Sequence, residues 1–224
     1  MIKDNLIRIK EELPSGVKLV AVSKYHPSEA VTEAYDAGQR AFAESRPQEL
    51  EKKIQALKEK DIEWHFIGHL QTNKLKMVLP YANLVESVDS LHLLEEINRW
   101  GRENGREVPV LLEMHIASEE SKQGFHEEEI LDLMFRYTEN RKAFSGVRIR
   151  GLMGMATNTD DASIIEADFE RIDSFMAYLV DLFPEADGFD QLSIGMSSDW
   201  HIAVRHGATL VRIGSAIFGE PELA

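Results

Sequence analysis

The sequence predicts a closed α/β barrel, eight parallel strands wrapped by helices, and three observations lead to it. Short β-branched runs alternate with longer amphipathic segments, and strand-then-helix order means helical crossovers and hence parallel pairing. The alternation repeats eight times along the chain. A (β/α)8 barrel usually takes about 250 residues, so the 224 present leave residues 1–224 as a single domain with little room for a second. A doubly wound open sheet is the alternative, and it requires one or two of the strands to be false.

Taken in order, residues 2–13 read as an extra N-terminal helix ended by Pro14-Ser15-Gly16. The strands fall at 18–24, 41–45, 63–68, 84–89, 108–116, 147–156, 191–196 and 210–214. Between the fourth and fifth, Leu91, Leu94 and Ile97 recur on one helical face, Ser90 is placed as N-cap, and Gly105 stops the helix. After the fifth, "HEEEILDLMFRYTENRKAF" carries acids in its first turn and bases in its last, as the helix dipole favours. After the sixth, Ile165, Phe169, Ile172, Met176, Leu179 and Phe183 make one apolar stripe that should face a sheet.

Composition narrows the function. A formal charge of −14 argues against a protein that neutralises phosphate backbones. The absence of cysteine removes disulfides, thiolate nucleophiles and Cys-ligated metals, and fits a reducing compartment. The N-terminus intersperses charges among apolar residues and resembles no signal peptide, and no apolar run approaches the roughly 18 residues of a membrane span. The expectation is a soluble, cytoplasmic protein.

In such barrels ligands bind at the C-terminal ends of the strands, and phosphate commonly at the loops after strands seven and eight. Those loops read "SIGMSSDW", with Ser197 and Ser198, and "RIGSAIFGE", with Gly214, Ser215 and Gly219. Small residues let a backbone approach an anion and hydroxyls donate to it; either loop taken alone is also an ordinary glycine turn. Arg212 precedes Gly214 by two, so alternation turns both to one face, where the guanidinium either enters the site or pairs with a structural carboxylate. Lys24 ends the first strand, and closure sets that strand beside the eighth. An amine near another cation and removed from water favours its neutral, nucleophilic form, as a Schiff base with an aldehyde requires, whereas an isolated lysine at a strand end snorkels to solvent. Lysine, arginine and an anion cup together point to a phosphorylated aldehyde.

These residues carry a resemblance. "VAVSK", "FIGHLQTNK", "ESKQGF", "RGLMGM", "LSIGMSSD" and "VRIGSAIFG", in that order over nearly the whole chain, resemble the pyridoxal 5′-phosphate homeostasis protein family (the YggS/PROSC group), related to the N-terminal barrel of alanine racemase. The resemblance implies a TIM barrel of that type, with Lys24 holding pyridoxal 5′-phosphate (PLP) as a Schiff base. It further implies that Ser197, Gly214 and Ser215 bind the phosphate and that Arg212 faces the pyridine nitrogen. One segment departs from the pattern: Ala43-Glu44-Ser45 stands where the family usually has Gly-Glu-Asn, and Ser45 keeps a hydrogen-bond donor there.

An arginine at the ring nitrogen disfavours its protonation and weakens the electron sink, which argues against transamination. Racemisation remains compatible but needs a base on each face of the α-carbon, and the resemblance places the second on a C-terminal β-domain for which 224 residues leave no room. The expected function is thus vitamin B6 homeostasis by a monomer that binds the cofactor without robust turnover and passes it transiently to apo-enzymes. The alternative is a racemase-like enzyme with a partner-supplied base. A metal-dependent hydrolase fits poorly, because His65 and His69 are four apart on a strand and loop, not on a helix. In "ESKQGF", Ser121, Lys122 and Gly124 read as a loop on the ligand side, equally a plain loop or a lid or partner contact.

Overall fold

The computed structural model describes residues 1–119 and 122–220. Eight parallel strands close into a barrel in sequence order: β1 (Lys18–Val22), β2 (Ala41–Glu44), β3 (Glu63–Phe66), β4 (Leu84–Val88), β5 (Val108–Met114), β6 (Val147–Gly154), β7 (Gln191–Ser193) and β8 (Leu210–Ile213). Each begins where the sequence predicts and ends slightly earlier, β1 at Val22 and β7 at Ser193. The tails that were expected to be strand turn outward into the loops. They keep only isolated ladder bonds, such as Ser23 N to Ala43 O (3.0 Å) and Ile67 N to Glu44 O (3.0 Å).

The helices are α1 (Ile2–Glu12), α2 (Ser28–Asp36), α3 (Pro47–Ala56), α4 (Leu75–Val78), α5 (Leu91–Glu103), α6 (Glu127–Glu139), α7 (Ala162–Leu182), α8 (Trp200–Ala203) and α9 (Ser215–Phe218). Ser90 caps α5 as expected, accepting from Leu93 N at 3.3 Å. Gly105 follows its end at φ 62, a left-handed conformation that glycine adopts without strain. The α7 stripe is buried at Ile165, Phe169, Ile172, Met176 and Leu179. Among the described residues no helix is long and apolar enough to cross a membrane.

Period-two alternation divides the strand side chains between two cores. Leu19, Ala21, Phe42, Val211 and Ile213 face the helices in the large outer core. Val20, Val22, Ala41, Ala43, Leu111 and Met153 face the barrel axis in a small inner one. Register then decides where Arg212 goes. It lies between two outward residues and opposite Val20 across the β1–β8 ladder, so it points into the barrel.

The β5–β6 ladder shifts by one residue between Val110 and Leu111, and Gly151 follows the shift at φ 146. A Cβ there would lie 1.8 Å from the Gln191 carbonyl oxygen, closer than any side chain tolerates. Gly151→Ala is therefore expected to lower unfolding free energy by more than about 2 kcal/mol in a denaturant titration. A change within about 0.5 kcal/mol would mean that β6 and β7 separate without cost.

Candidate functional site

The site begins with a correction. Lys24 is not the last residue of a strand: β1 stops at Val22, and Lys24 stands two residues beyond it in a turn, exposed. The burial that the sequence argument gave its amine is absent. The turn is held from below by Ser23, which is fully buried. Its hydroxyl donates to Glu44 Oε1 at 2.6 Å, while Lys53 Nζ donates to the Ser23 carbonyl (2.6 Å) and to the same Glu44 oxygen (2.5 Å). Burial pushes the Glu44 carboxyl up, against the pull of Lys53. Tyr25 then takes φ 67, the one non-glycine residue so placed among those described, and its N–H donates to Glu49 Oε2 at 3.0 Å. A left-handed tyrosine costs about 1 kcal/mol or more. Its effect is to turn the chain out of the sheet and carry Lys24 to the barrel mouth.

Lys24 there joins Ser197, Arg212, Gly214 and Ser215 around one cavity of about 450 Å³. All five residues singled out from the sequence line it, as does Ser45. That volume falls within the ~300–1,000 Å³ of small-molecule sites. Val22, Ile67, Met153 and Met155 supply apolar walls suited to the faces of a flat ring. Ser197 Oγ accepts from the N–H groups of Gly214 (3.1 Å) and Ala216 (3.3 Å), so the loops after β7 and β8 meet on one hydroxyl. Asp199 fixes the first of these loops by accepting from Met196 N at 2.5 Å. Hydroxyls at Ser197, Ser198 and Ser215 beside the helix start at Gly214 are a donor set for an anion, with Glu220 the one carboxylate in the described lining. Apolar walls, an anion cup, an amine and a guanidinium thus fit a phosphorylated aromatic aldehyde.

Arg212 is the buried member, 4% exposed. Its Nη1 donates to the Ser193 carbonyl (2.8 Å) and hydroxyl (2.5 Å), and its Nη2 to the Gly154 carbonyl (3.0 Å). Glu86 Oε2 lies 3.8 Å from Nη1 and accepts from the Ser193 hydroxyl at 2.5 Å. The other oxygen of Glu86 faces His65 Nδ1 at 2.5 Å, and His65 Nε2 faces Glu63 Oε1 at 3.1 Å. With a carboxylate on each ring nitrogen, both nitrogens of His65 donate and the ring is an imidazolium. Burial opposes that charge, but the hydrogen bonds and charges of Glu63 and Glu86 outweigh it and hold His65 above its ordinary value. Burial likewise works against the charge of Glu86, and His65, Arg212 and Ser193 together keep it below the usual carboxylate range. The sequence offered no sign of the Glu86–His65 contact, whose partners are 21 residues apart on adjacent strands.

The "ESKQGF" loop is only partly described, and Ser121 lies outside the described residues. Lys122 Nζ donates to the Ala156 carbonyl at 2.7 Å and pairs with Glu119 at 3.2 Å. Gly124, at φ 130, lies against the β5 backbone. The loop is thereby tied to strand ends beside the mouth.

Glu113 also escaped the sequence reading. It faces the axis on β5, paired across the ladder with the cavity-lining Met153, and is 7% exposed. Burial and the neighbouring Asp89 push its carboxyl up to about 7, against Arg212 and His69. A raised carboxyl destabilises the fold once ionised, so its cost grows from about pH 4.5 and is complete above about pH 7. Glu113→Gln should therefore raise unfolding free energy at pH 8 by up to about 3 kcal/mol, a gain that shrinks towards pH 4.5. Denaturant titrations across that range check it; a gain independent of pH contradicts the assignment.

Known proteins share this architecture. The alanine racemase N-terminal domain family matches residues 1–221. The pyridoxal phosphate homeostasis protein of Pasteurella multocida is 36% identical over 230 residues, covering 97% of each chain. The structure of PipY from Synechococcus elongatus with PLP bound superposes with a TM-score of 0.89 at 35% identity, covering 98% of this chain and all of that one. Alanine racemase from Bartonella henselae, with covalently bound pyridoxal phosphate, shares the fold at 15% identity and a TM-score of 0.74, and this chain spans 58% of its length. The barrel, the cavity at its mouth and these likenesses agree, and the chain belongs to the pyridoxal phosphate homeostasis protein family.

Proposed function

We infer that this protein binds PLP at the barrel mouth as a Schiff base on Lys24 and serves vitamin B6 homeostasis as a reversible carrier. The observation that carries this reading is the single cavity shared by Lys24, Ser197, Arg212, Gly214 and Ser215. A relative of matching length with PLP bound supports it. When bound, the cofactor would supply an aldehyde that the Lys24 amine would hold reversibly, so that water or another amine could release it.

The chain's own residues divide the remaining work. Ser197, Gly214 and Ser215 would hold the phosphate, Ser197 through the hydroxyl hydrogen left to it after accepting from Gly214 N and Ala216 N, and the apolar walls would hold the ring faces. Arg212 would present an N–H to the ring nitrogen, which would disfavour a proton there and weaken the electron sink. The exposure of Lys24 suits a carrier, since among the described residues the amine is open to water and incoming amines. A racemase needs acid–base groups on both faces of the α-carbon. Of the titratable groups lining the cavity near Lys24, Tyr25 and His26 come from its own turn, the His26 ring stacked on Phe218 at 5.1 Å, and Glu220 comes from the segment after α9.

Incubation of the purified protein with PLP should give a visible absorbance band that Lys24→Ala abolishes. Ser197→Ala should keep the band and weaken binding about tenfold, the equivalent of one lost hydrogen bond to a charged group. A wild-type protein without the band, or a Lys24→Ala variant that retains it, contradicts the reading.

A further inference from the structure

The barrel interior holds an unbroken chain of alternating charge. Lys18, at the base of the barrel, donates to Glu63 at 2.5 Å; Glu63 accepts from His65, His65 donates to Glu86, and Glu86 accepts from the Ser193 hydroxyl that itself accepts from Arg212. Lys18 and Glu63 reach solvent, with side chains 44% and 35% exposed, whereas His65 and Glu86 are at 1% and 0%. The chain thus runs from a wet end at the strand N-termini to the cavity wall at the other end.

Three features single out Glu86 within it. Both of its oxygens are engaged, one by His65 and one by Ser193, so its carboxylate has a fixed plane. Because the Ser193 hydroxyl gives its one hydrogen to Glu86, it must present a lone pair to Arg212 Nη1, which orients the guanidinium. Arg212 then spends both Nη1 hydrogens on Ser193 and one Nη2 hydrogen on Gly154, and its Nε and second Nη2 hydrogens have no partner among the described residues. Those are the donors left for a ligand. Glu86 is also the nearest carboxylate to Arg212; Glu113 and Asp199 feel the same guanidinium from β5 and from the loop after β7.

We propose that Glu86 is the positioning residue of the cofactor cavity: held by the His65–Glu63–Lys18 chain, it orients Arg212 through Ser193 and offsets its charge. This rests on the reading that Arg212 faces the ring nitrogen of PLP. The buried arrangement is expensive and pays for itself only as a set, since removing one member strands the charge of the next. Glu86→Gln keeps the shape and the Ser193 contact but removes the charge. It leaves Arg212 less compensated, which disfavours a proton on the bound cofactor.

Two measurements test this. In the PLP-loaded protein, the pH midpoint of the Schiff-base absorbance should fall by about one unit in Glu86→Gln and return close to wild type in Glu86→Asp. A merely structural role lowers thermal stability and leaves the midpoint in place, and that result would overturn the proposal. In the cofactor-free protein, imidazole NMR should find His65 protonated well above the ordinary histidine range in wild type and titrating at lower pH in Glu86→Gln. If His65 titrates alike in both, the chain is not coupled and the proposal fails, whatever the cofactor does. If the wild type shows no Schiff-base band, the functional reading fails, while the NMR comparison still reads whether Glu86 and His65 are coupled.

Discussion

Closure of β8 onto β1 is the constraint on which the rest of this structure depends. Four residue pairs, from Lys18 with Leu210 to Ala21 with Ile213, fix the register. Because side chains alternate, a slip of one residue would send Arg212 among the helices and Val211 into the barrel. The same register brings the turn carrying Lys24 beside the loop that starts at Gly214, where an added Cβ would lie 3.2 Å from the Val22 carbonyl oxygen and 3.4 Å from the Val22 Cβ. α1 reinforces the closure from outside, Asn5 Nδ2 donating to the Ile217 carbonyl at 2.9 Å. An amine, a guanidinium and an anion cup that are distant in sequence become neighbours through one strand pairing.

The interior that results is divided. Toward β1 and β2 it is lined by Val20, Val22, Ala41 and Ala43, small apolar residues that leave room at the mouth. The rest of the interior holds Glu86, His65, Ser193 and Arg212, each 4% exposed or less, with Arg212 opposite Val20 and His65 opposite Ala43 on the adjoining ladders. Buried charges are tolerated only when paired and hydrogen-bonded, and here each meets an opposite charge or a hydroxyl in line with it. Apolar residues would fill the same space at less cost. What the polar half adds is a guanidinium of fixed orientation with donors to spare at the cavity wall.

Much of this was legible in the sequence. The eight strand starts follow from β-branched runs, and the spacing of Arg212 to Gly214 puts both on one face, which only the β1–β8 register identifies as the inner one. Lys24 does line one cavity with Arg212 and the loops after β7 and β8, but not by the strand geometry expected of it. Period two carried its strand on to residue 24, but the chain leaves the sheet after Val22 because Ser23 is anchored to Glu44 and Lys53 and Tyr25 turns left-handed. A left-handed tyrosine has no signal in residue type, which favours glycine or asparagine there. Neither His65 nor Glu86 carries a sequence signal for its partner, since their contact depends on strand order and register together. Glu113 differs from a surface glutamate only in the direction it faces.

The central claim is that one amine, Lys24, holds the cofactor. Borohydride reduction of the PLP-loaded protein, followed by peptide mass mapping, tests it most directly. The account predicts a single phosphopyridoxyl addition, on the peptide carrying Lys24, with Lys53 and Lys122 unmodified. A label on Lys53 or Lys122 in place of Lys24, or one spread over many lysines, would contradict it.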